Sequence, residues 1–117
     1  MYIRCAFFEG RVKPGHEAAF TKFVRERLVP LWMKFPGAEE VRVLRQREAD
    51  VGNPHYEMVL EIRYPSLAAI ELALKSDVRS ASRAETMELV KIFDGRIFHT
   101  IFQADHFTTV CGSSTMA

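Results

Sequence analysis

Apolar and polar side chains alternate along His55–Tyr64, and this predicts a strand with Tyr56, Met58, Leu60, Ile62 and Tyr64 on one face and His55, Glu57, Val59, Glu61 and Arg63 on the other. Residues 41–47 alternate over a shorter stretch, with Val41 and Val43 on one side; they predict a partner strand joined through the loop 48–54 as a long hairpin. Residues 2–9 are apolar on both faces, Ile3, Cys5 and Phe7 alternating with Arg4, Ala6 and Phe8, which reads as a central strand ended by the breakers of 10–15. A last strand is predicted over 96–107, with Phe98, Phe102 and Ala104 on one face and Ile97, His99, Ile101, Gln103 and Asp105 on the other.

Between these strands the period becomes helical. Phe20, Phe23, Val24, Leu28, Leu31 and Phe35 form one stripe across 16–35, and Pro30 within it cannot donate to the Glu26 carbonyl, so a kink or break is expected there. Ser66 reads as an N-cap, with Leu67, Ile70 and Leu74 following on one side, and Ser76-Asp77 offers a second cap. Ser82-Arg83-Ala84-Glu85 has capping-box spacing and marks a further possible restart. Ala81, Met87, Val90 and Phe93 carry the apolar face to Asp94-Gly95, where glycine predicts the helix stop.

Strand, helix, strand, strand, helix, strand is the order of an α+β, ferredoxin-like βαββαβ domain: a four-stranded antiparallel sheet with its first and third strands central and both helices on one face. The domain spans 1–107, and 108–117 is a small, polar tail expected to be disordered or draped on a partner. The open face is expected to carry Ala6, Phe8, Val59, Ile97 and Ile101, more apolar surface than a monomer exposes. A second copy packed sheet to sheet about a two-fold axis covers it, so a homodimer is expected.

Composition narrows the partners. With 16 Lys and Arg against 15 Asp and Glu, the net charge of +1 supplies no field for a polyanion, which argues against nucleic acid or an anionic membrane. No stretch approaches the ~18 apolar residues of a membrane span, and the first ten residues meet a charge and a glycine before a signal-peptide core could build, so a soluble cytoplasmic protein is expected. Cys5 and Cys111 then read as reduced thiols. Nucleophile-elbow, phosphate-loop and dinucleotide fingerprints are missing, as is the glycine-aromatic signature of an RNA-recognition strand.

Several short motifs resemble the EthD-like family, named for ethyl tert-butyl ether degradation and part of the dimeric α/β-barrel superfamily. They are Val12-Lys13-Pro14-Gly15-His16-Glu17-Ala18-Ala19-Phe20, Leu28-Val29-Pro30-Leu31 before Phe35-Pro36-Gly37, Tyr56–Ile62 running into Ser66-Leu67, and Phe93-Asp94-Gly95. The resemblance runs from Tyr2 to Gln103. It implies two ferredoxin-like protomers joined into a barrel with a pocket in each half, in a superfamily of cofactor-free monooxygenases, lactone isomerases, and polyketide dehydratases or cyclases. Many members carry a histidine two residues before the helix proline, in a His-x-Pro-Leu motif, as the candidate acid or base; this chain has Leu28 there.

The open sheet face, as a pocket wall, is expected to present Arg4, His55, Glu57, Glu61, His99 and Gln103. His99 titrates near neutrality and is the candidate base, against a structural imidazole or a dimer contact. Arg4 and Glu61 are expected to face each other, either as an ion pair holding the sheet or with Arg4 free to steady an enolate or phenolate. Glu57 is a candidate second base and Gln103 a second donor to negative charge. Trp32, Phe35 and Tyr64 are candidates for an aromatic wall, Phe8 for an apolar one, with core packing as the alternative for the aromatics. His55, Glu57 and His99 have residue types that bind metal, but nothing in their spacing matches a metal signature; His99 and His106 fall on opposite faces. No metal or organic cofactor is expected. Two functions follow: a cofactor-independent oxygenase, isomerase or dehydratase acting on a modest, partly apolar organic molecule, or a non-catalytic carrier, sensor or accessory protein using the same pocket. A third is that dimerisation is the whole purpose.

Overall fold

The computed structural model of the protein describes residues 1–110. Four antiparallel strands, β1 (Tyr2–Val12), β2 (Glu40–Leu44), β3 (Tyr56–Tyr64) and β4 (Phe93–Gln103), form one sheet in the order β2-β3-β1-β4. The first crossover holds helix α1 (Glu17–Phe23), a π-helical turn (Val24–Leu28) and a short α2 (Val29–Trp32); the second holds α3 (Leu67–Leu74), α4 (Asp77–Leu89) and a single 3₁₀ turn (Val90–Ile92). This is the expected ferredoxin-like α+β fold, with the strand order that a split βαβ arrangement demands.

Pro30 acts as its chemistry requires, by widening the helix. Glu26 has no N–H four residues on to receive, and the Val29 N–H donates to the Val24 carbonyl five residues back. The widened turn also solves a phase problem. The buried residues Phe20, Val24, Leu28 and Trp32 are spaced by four, which drifts about 40° per step around a regular α-helix. A π turn takes up part of that drift and keeps all four side chains on the sheet. Ser66 and Ser76 cap α3 and α4 as expected, their hydroxyls accepting from the N–H groups of Ala69 at 3.1 Å and Arg79 at 3.2 Å. The capping-box spacing at Ser82 starts nothing: α4 runs unbroken through it.

The faces of β1 and β4 are the reverse of those expected. Arg4 lies opposite Ile62 and Ile101, Ala6 opposite Leu60 and His99, and Phe8 opposite Met58 and Ile97, so all of these share the helix-covered face. The open face carries Ile3, Cys5, Phe7, Val59, Phe98 and Phe102, where Phe7 stacks on Phe98 with centroids 5.0 Å apart and tilts against Tyr56. Arg4 and Glu61 therefore stand on opposite sides of the sheet. Glu61 instead holds Arg42 at 2.9 Å, its neighbour across β2.

Gly10 and Gly95, expected as breakers, are paired residues inside β1 and β4. Both have positive φ, and a Cβ on either one would run into the carbonyl of Asp94 or Glu9 on the facing strand. The two glycines let the strands cross closely and continue to Val12 and Phe93, which close an aromatic core of Phe8, Phe20 and Phe93 with centroids 5.9–6.3 Å apart. β4 accordingly begins at Phe93 and ends at Gln103, short of Phe107. Residues 104–110 leave the sheet after one further bond, from the Ala104 N–H to the Met1 carbonyl; the rest of the expected tail, with Cys111, lies outside the described residues. Among the described residues no helix is long and apolar enough to cross a membrane.

Replacing Gly10 with Ala should lower stability by about 3 kcal/mol, because the added methyl meets backbone that cannot step aside. Urea denaturation measures it; an unchanged midpoint would contradict the close-approach account.

Candidate functional site

A pocket of about 440 Å³ lies between the covered face of the sheet and α4. Its floor is Ala6, Phe8, Leu60, Ile62 and Ile97 from the strands. Trp32 and Phe35 wall one end, and Arg79, Ser82, Arg83, Thr86, Met87 and Val90 form the roof. Arg4 and His99 project into it from neighbouring strands, two positions apart in register because Ala6 is the residue facing His99. Ala6, the smallest side chain on that face, leaves the room. The volume suits a small organic molecule, and the lining has the usual mixture of apolar walls and a few polar groups.

The roof stripe is the unusual part. Positions 79, 82, 83, 86, 87 and 90 follow helical spacing and look onto the sheet, where a packed helix ordinarily turns apolar residues. Here two arginines and two hydroxyl residues take that face. The helix is held down on either side of the stripe, by buried Leu89 and by Glu85, which accepts from Arg27 at 2.8 Å. Arg79 is oriented by a long bond to the Leu74 carbonyl at the end of α3.

Among the described residues no carboxylate lines the pocket. Elsewhere several arginines of the sheet and helices are paired, Arg42 with Glu61, Arg63 with Glu39 and Glu40, Arg96 with Glu9 and Arg27 with Glu85, although Arg11 and Arg25 are in none of these pairs. Among the described residues none of the ion pairs involves Arg4, Arg79 or Arg83. The consequence appears on His99. Its ring still meets solvent at the pocket mouth, yet loss of hydration and the charges of Arg4, Arg79 and Arg83 bring its pKa from 6.5 down to about 4. Burial and Arg79 together lower Arg4, and burial pushes the neighbouring Tyr64 phenol up against the pull of Arg4. At neutral pH the site therefore presents a neutral imidazole among three guanidinium groups.

Of the residues predicted from the sequence, His99, Arg4, Phe8 and Trp32 meet in this pocket, with Phe35 beside them. The others do not. Gln103 sits exposed at the far end of β4, opposite Tyr2. Glu61 is on the open face, and Tyr64 is a core residue rather than a pocket wall. Glu57 occupies the irregularity in the β1–β3 pairing, where its Oε1 accepts from the Val12 N–H at 3.2 Å, a donor that β3 leaves unpaired. His55 is held in the hairpin loop, its Nδ1 3.2 Å from Gln46 Nε2, and Gln46 Oε1 accepts from the Tyr56 N–H. His55 and Glu57 thus stand together at the end of the sheet where β3 begins, whereas His99 pairs with Ala6 near the middle of β1, and among the described residues no three metal-ligating side chains converge. Leu28, at the position of the motif histidine, is fully buried in the core.

Arg79, Arg83, Ser82 and Thr86 escaped the sequence reading. Their signal was present as a polar stripe at spacing 3-4-7 within α4, but charged residues at helical spacing read as the solvated side when a second, apolar stripe is available. Of that second stripe, Ala81 and Met87 prove exposed, Met87 at the rim of the pocket, while Val90 is half-buried and Phe93 is core.

No protein-family model matches the chain, and no curated protein matches its sequence. Solved structures do share its fold. An ethyl tert-butyl ether degradation (EthD) family protein from Bacillus halodurans superimposes with a TM-score of 0.66 at 18% identity, covering 90% of this chain and 100% of that one. An antibiotic biosynthesis monooxygenase gives 0.61 at 15% identity, over 91% and 100%. SnoaB, a cofactor-independent oxygenase from Streptomyces nogalater, gives 0.61 at 18% identity, over 91% and 93%.

The depressed His99 fixes a sign for pH dependence. Below pH 6.5 the unfolded chain takes up a proton that the folded one refuses, so stability should fall as pH drops from 6.5 to about 4. His99→Gln should flatten that part of the profile in denaturation midpoints measured across the range; an identical profile in the variant would rule the assignment out. In fold, this chain is one with the EthD protein and the antibiotic biosynthesis monooxygenase, and resembles them along nearly its whole length.

Proposed function

We propose that this chain is a homodimeric enzyme that binds a modest, partly apolar organic molecule under α4 and acts on it without metal or organic cofactor, His99 serving as the base. The observation that carries the reading is the neutral imidazole of His99 facing a pocket whose charged lining residues are all arginines. A neutral imidazole accepts a proton from an activated C–H or O–H, and the guanidinium of Arg4, projecting from the adjacent strand, steadies the enolate or phenolate that remains. Such an anion has three outcomes: return of the proton to another carbon, loss of a β-hydroxyl as water, or attack on dioxygen. In the last, the carbanion's electron pair forms the C–O bond, the peroxide recovers the proton from His99, and loss of water leaves a carbonyl. The fold shared with a cofactor-independent oxygenase supports the third outcome.

The open face supports the dimer. Ile3, Phe7, Val59, Phe98 and Phe102 make it apolar, Phe102 is 48% exposed, and the ion pairs Arg42–Glu61 and Arg96–Glu9 border it with charges of both signs. A second copy covers such a face with matched charges at its rim. A cytoplasmic location accords with the free thiol of Cys5, buried on this face.

Proton abstraction is measurable on a simple carbon acid. With 2-tetralone in deuterated buffer, the wild-type protein should accelerate loss of the α-proton signal at least about 100-fold over background. The acceleration should disappear in His99→Gln and fade in the wild type as pH drops through about 4. Thermal stabilisation by the ketone with no exchange would identify a carrier instead. Independently, Phe98→Lys should convert a sedimenting dimer to monomer at micromolar concentration; a wild-type monomer there would remove the dimer from the proposal.

A further inference from the structure

We propose that the ligand of this pocket is an organic acid, its carboxylate held by Arg79 and Arg83 of α4 and its apolar body lying on Phe8 and Trp32, and that this carboxylate activates His99. The inference rests on the pocket reading above and adds the charge of the substrate to it.

Three arginines converge on one cavity with no acidic residue in its lining and no ion pair of their own among the described residues. Cations repel one another, and Arg4 loses hydration on entering the partly enclosed site, so the empty arrangement costs folding free energy. Carboxylates do serve arginines elsewhere in the chain, at Arg27, Arg42, Arg63 and Arg96, and none of these pairs reaches the pocket. A net charge of only +1 makes the concentration of positive charge local to the pocket rather than a property of the surface. A carboxylate satisfies the fork geometry of guanidinium groups two-pronged, and the hydroxyls of Ser82 and Thr86 on the same helix face lie beside them. The Thr86 hydroxyl already donates to the Ser82 carbonyl, which leaves its oxygen as an acceptor and the Ser82 hydroxyl as the further donor. The opposite wall, of Phe8, Trp32 and Phe35, is apolar and fits the remainder of a planar acid.

The same charges explain why an acid would matter to the chemistry. Loss of hydration lowers His99 most, and the groups facing it, Arg4 from β1 and Arg79 and Arg83 from α4, are all of one sign and lower it further. A bound carboxylate offsets the arginines and returns the imidazole toward its ordinary range, where it is the stronger base. Without a carboxylate the site holds the weaker base; with one it holds the stronger. Arg79 and Arg83 are thereby binding residues for the acid and positioning residues for His99.

The test uses the full chain with two probes of one shape, naphthalene-2-carboxylate and 2-naphthylmethanol, titrated by calorimetry. The carboxylate should bind at least about tenfold more tightly than the alcohol, as expected for a charge-assisted pair. The double variant Arg79→Gln with Arg83→Gln should lose that preference while still binding the alcohol, and Arg79→Lys with Arg83→Lys should retain part of it. Nuclear magnetic resonance of the His99 ring should show its pKa rising on addition of the carboxylate and unmoved by the alcohol. Equal affinity for the two probes, no binding of the carboxylate, or carboxylate binding unchanged in the glutamine variant overturns the proposal. These readouts need no turnover, so loss of proton exchange in His99→Gln is judged separately from them.

Discussion

Everything in this protein that bears on function depends on how β1 is registered between β3 and β4. With Ala6 opposite both Leu60 and His99, one imidazole and one guanidinium are turned under the helices, while Phe7 and Phe98 stack on the outside. A slip of one residue inverts every side chain of the strand. Arg4 would then face Glu61, and the pocket would lose a cation and acquire no base. The irregularity where Glu57 caps the Val12 N–H, and the Gly10–Gly95 crossing that admits no side chain, pin the register just beyond Phe8 and Ile97 at the edge of the pocket.

The helix above this face accepts a local cost for the site it roofs. An amphipathic helix gains most by turning apolar residues to the sheet, and α4 instead offers Arg79, Ser82, Arg83 and Thr86. Its attachment comes from the margins of that stripe: the Ser76 cap, Leu89, and the Arg27–Glu85 pair to the first crossover. The first crossover is built the other way, with Phe20, Val24, Leu28 and Trp32 all buried, its π turn keeping them in phase. One helical layer supplies the core and the other supplies the charge. The break of local rules in α4 falls at the site, as expected where binding rather than stability sets the choice of residue.

Position 28 shows how the imidazole can move within one fold. Where the EthD-like motif places a histidine, this chain has a leucine with no exposed surface, inside the packed stripe of the first crossover. The imidazole that reaches the pocket comes from an edge strand instead. A residue on an edge strand keeps one side open, which accounts for a ring that meets solvent at the mouth of the site while partial burial, with three arginines within, lowers its pKa.

Strong local signals were legible in the chain itself. The alternation of residues 56–64, the serine caps at 66 and 76, the disturbance at Pro30 and the order of elements each follow from side-chain chemistry acting over a few residues, and together they determine the ferredoxin-like fold. His99, Arg4, Phe8 and Trp32 were recognisable as chemistry-bearing or pocket-sized groups for the same reason. What only the tertiary structure decided is which way they face. β1 and β4 are apolar on both sides, so periodicity sorts their residues into two sets without saying which set meets the helices; register across three strands settles it, and that is a non-local quantity. Glu57 and His55 went to the end of the sheet where β3 begins because a free backbone donor at Val12 and the hairpin loop claimed them. Arg79 and Arg83 were invisible as a site because a charge at helical spacing reads as solvated until the surface opposite it is known.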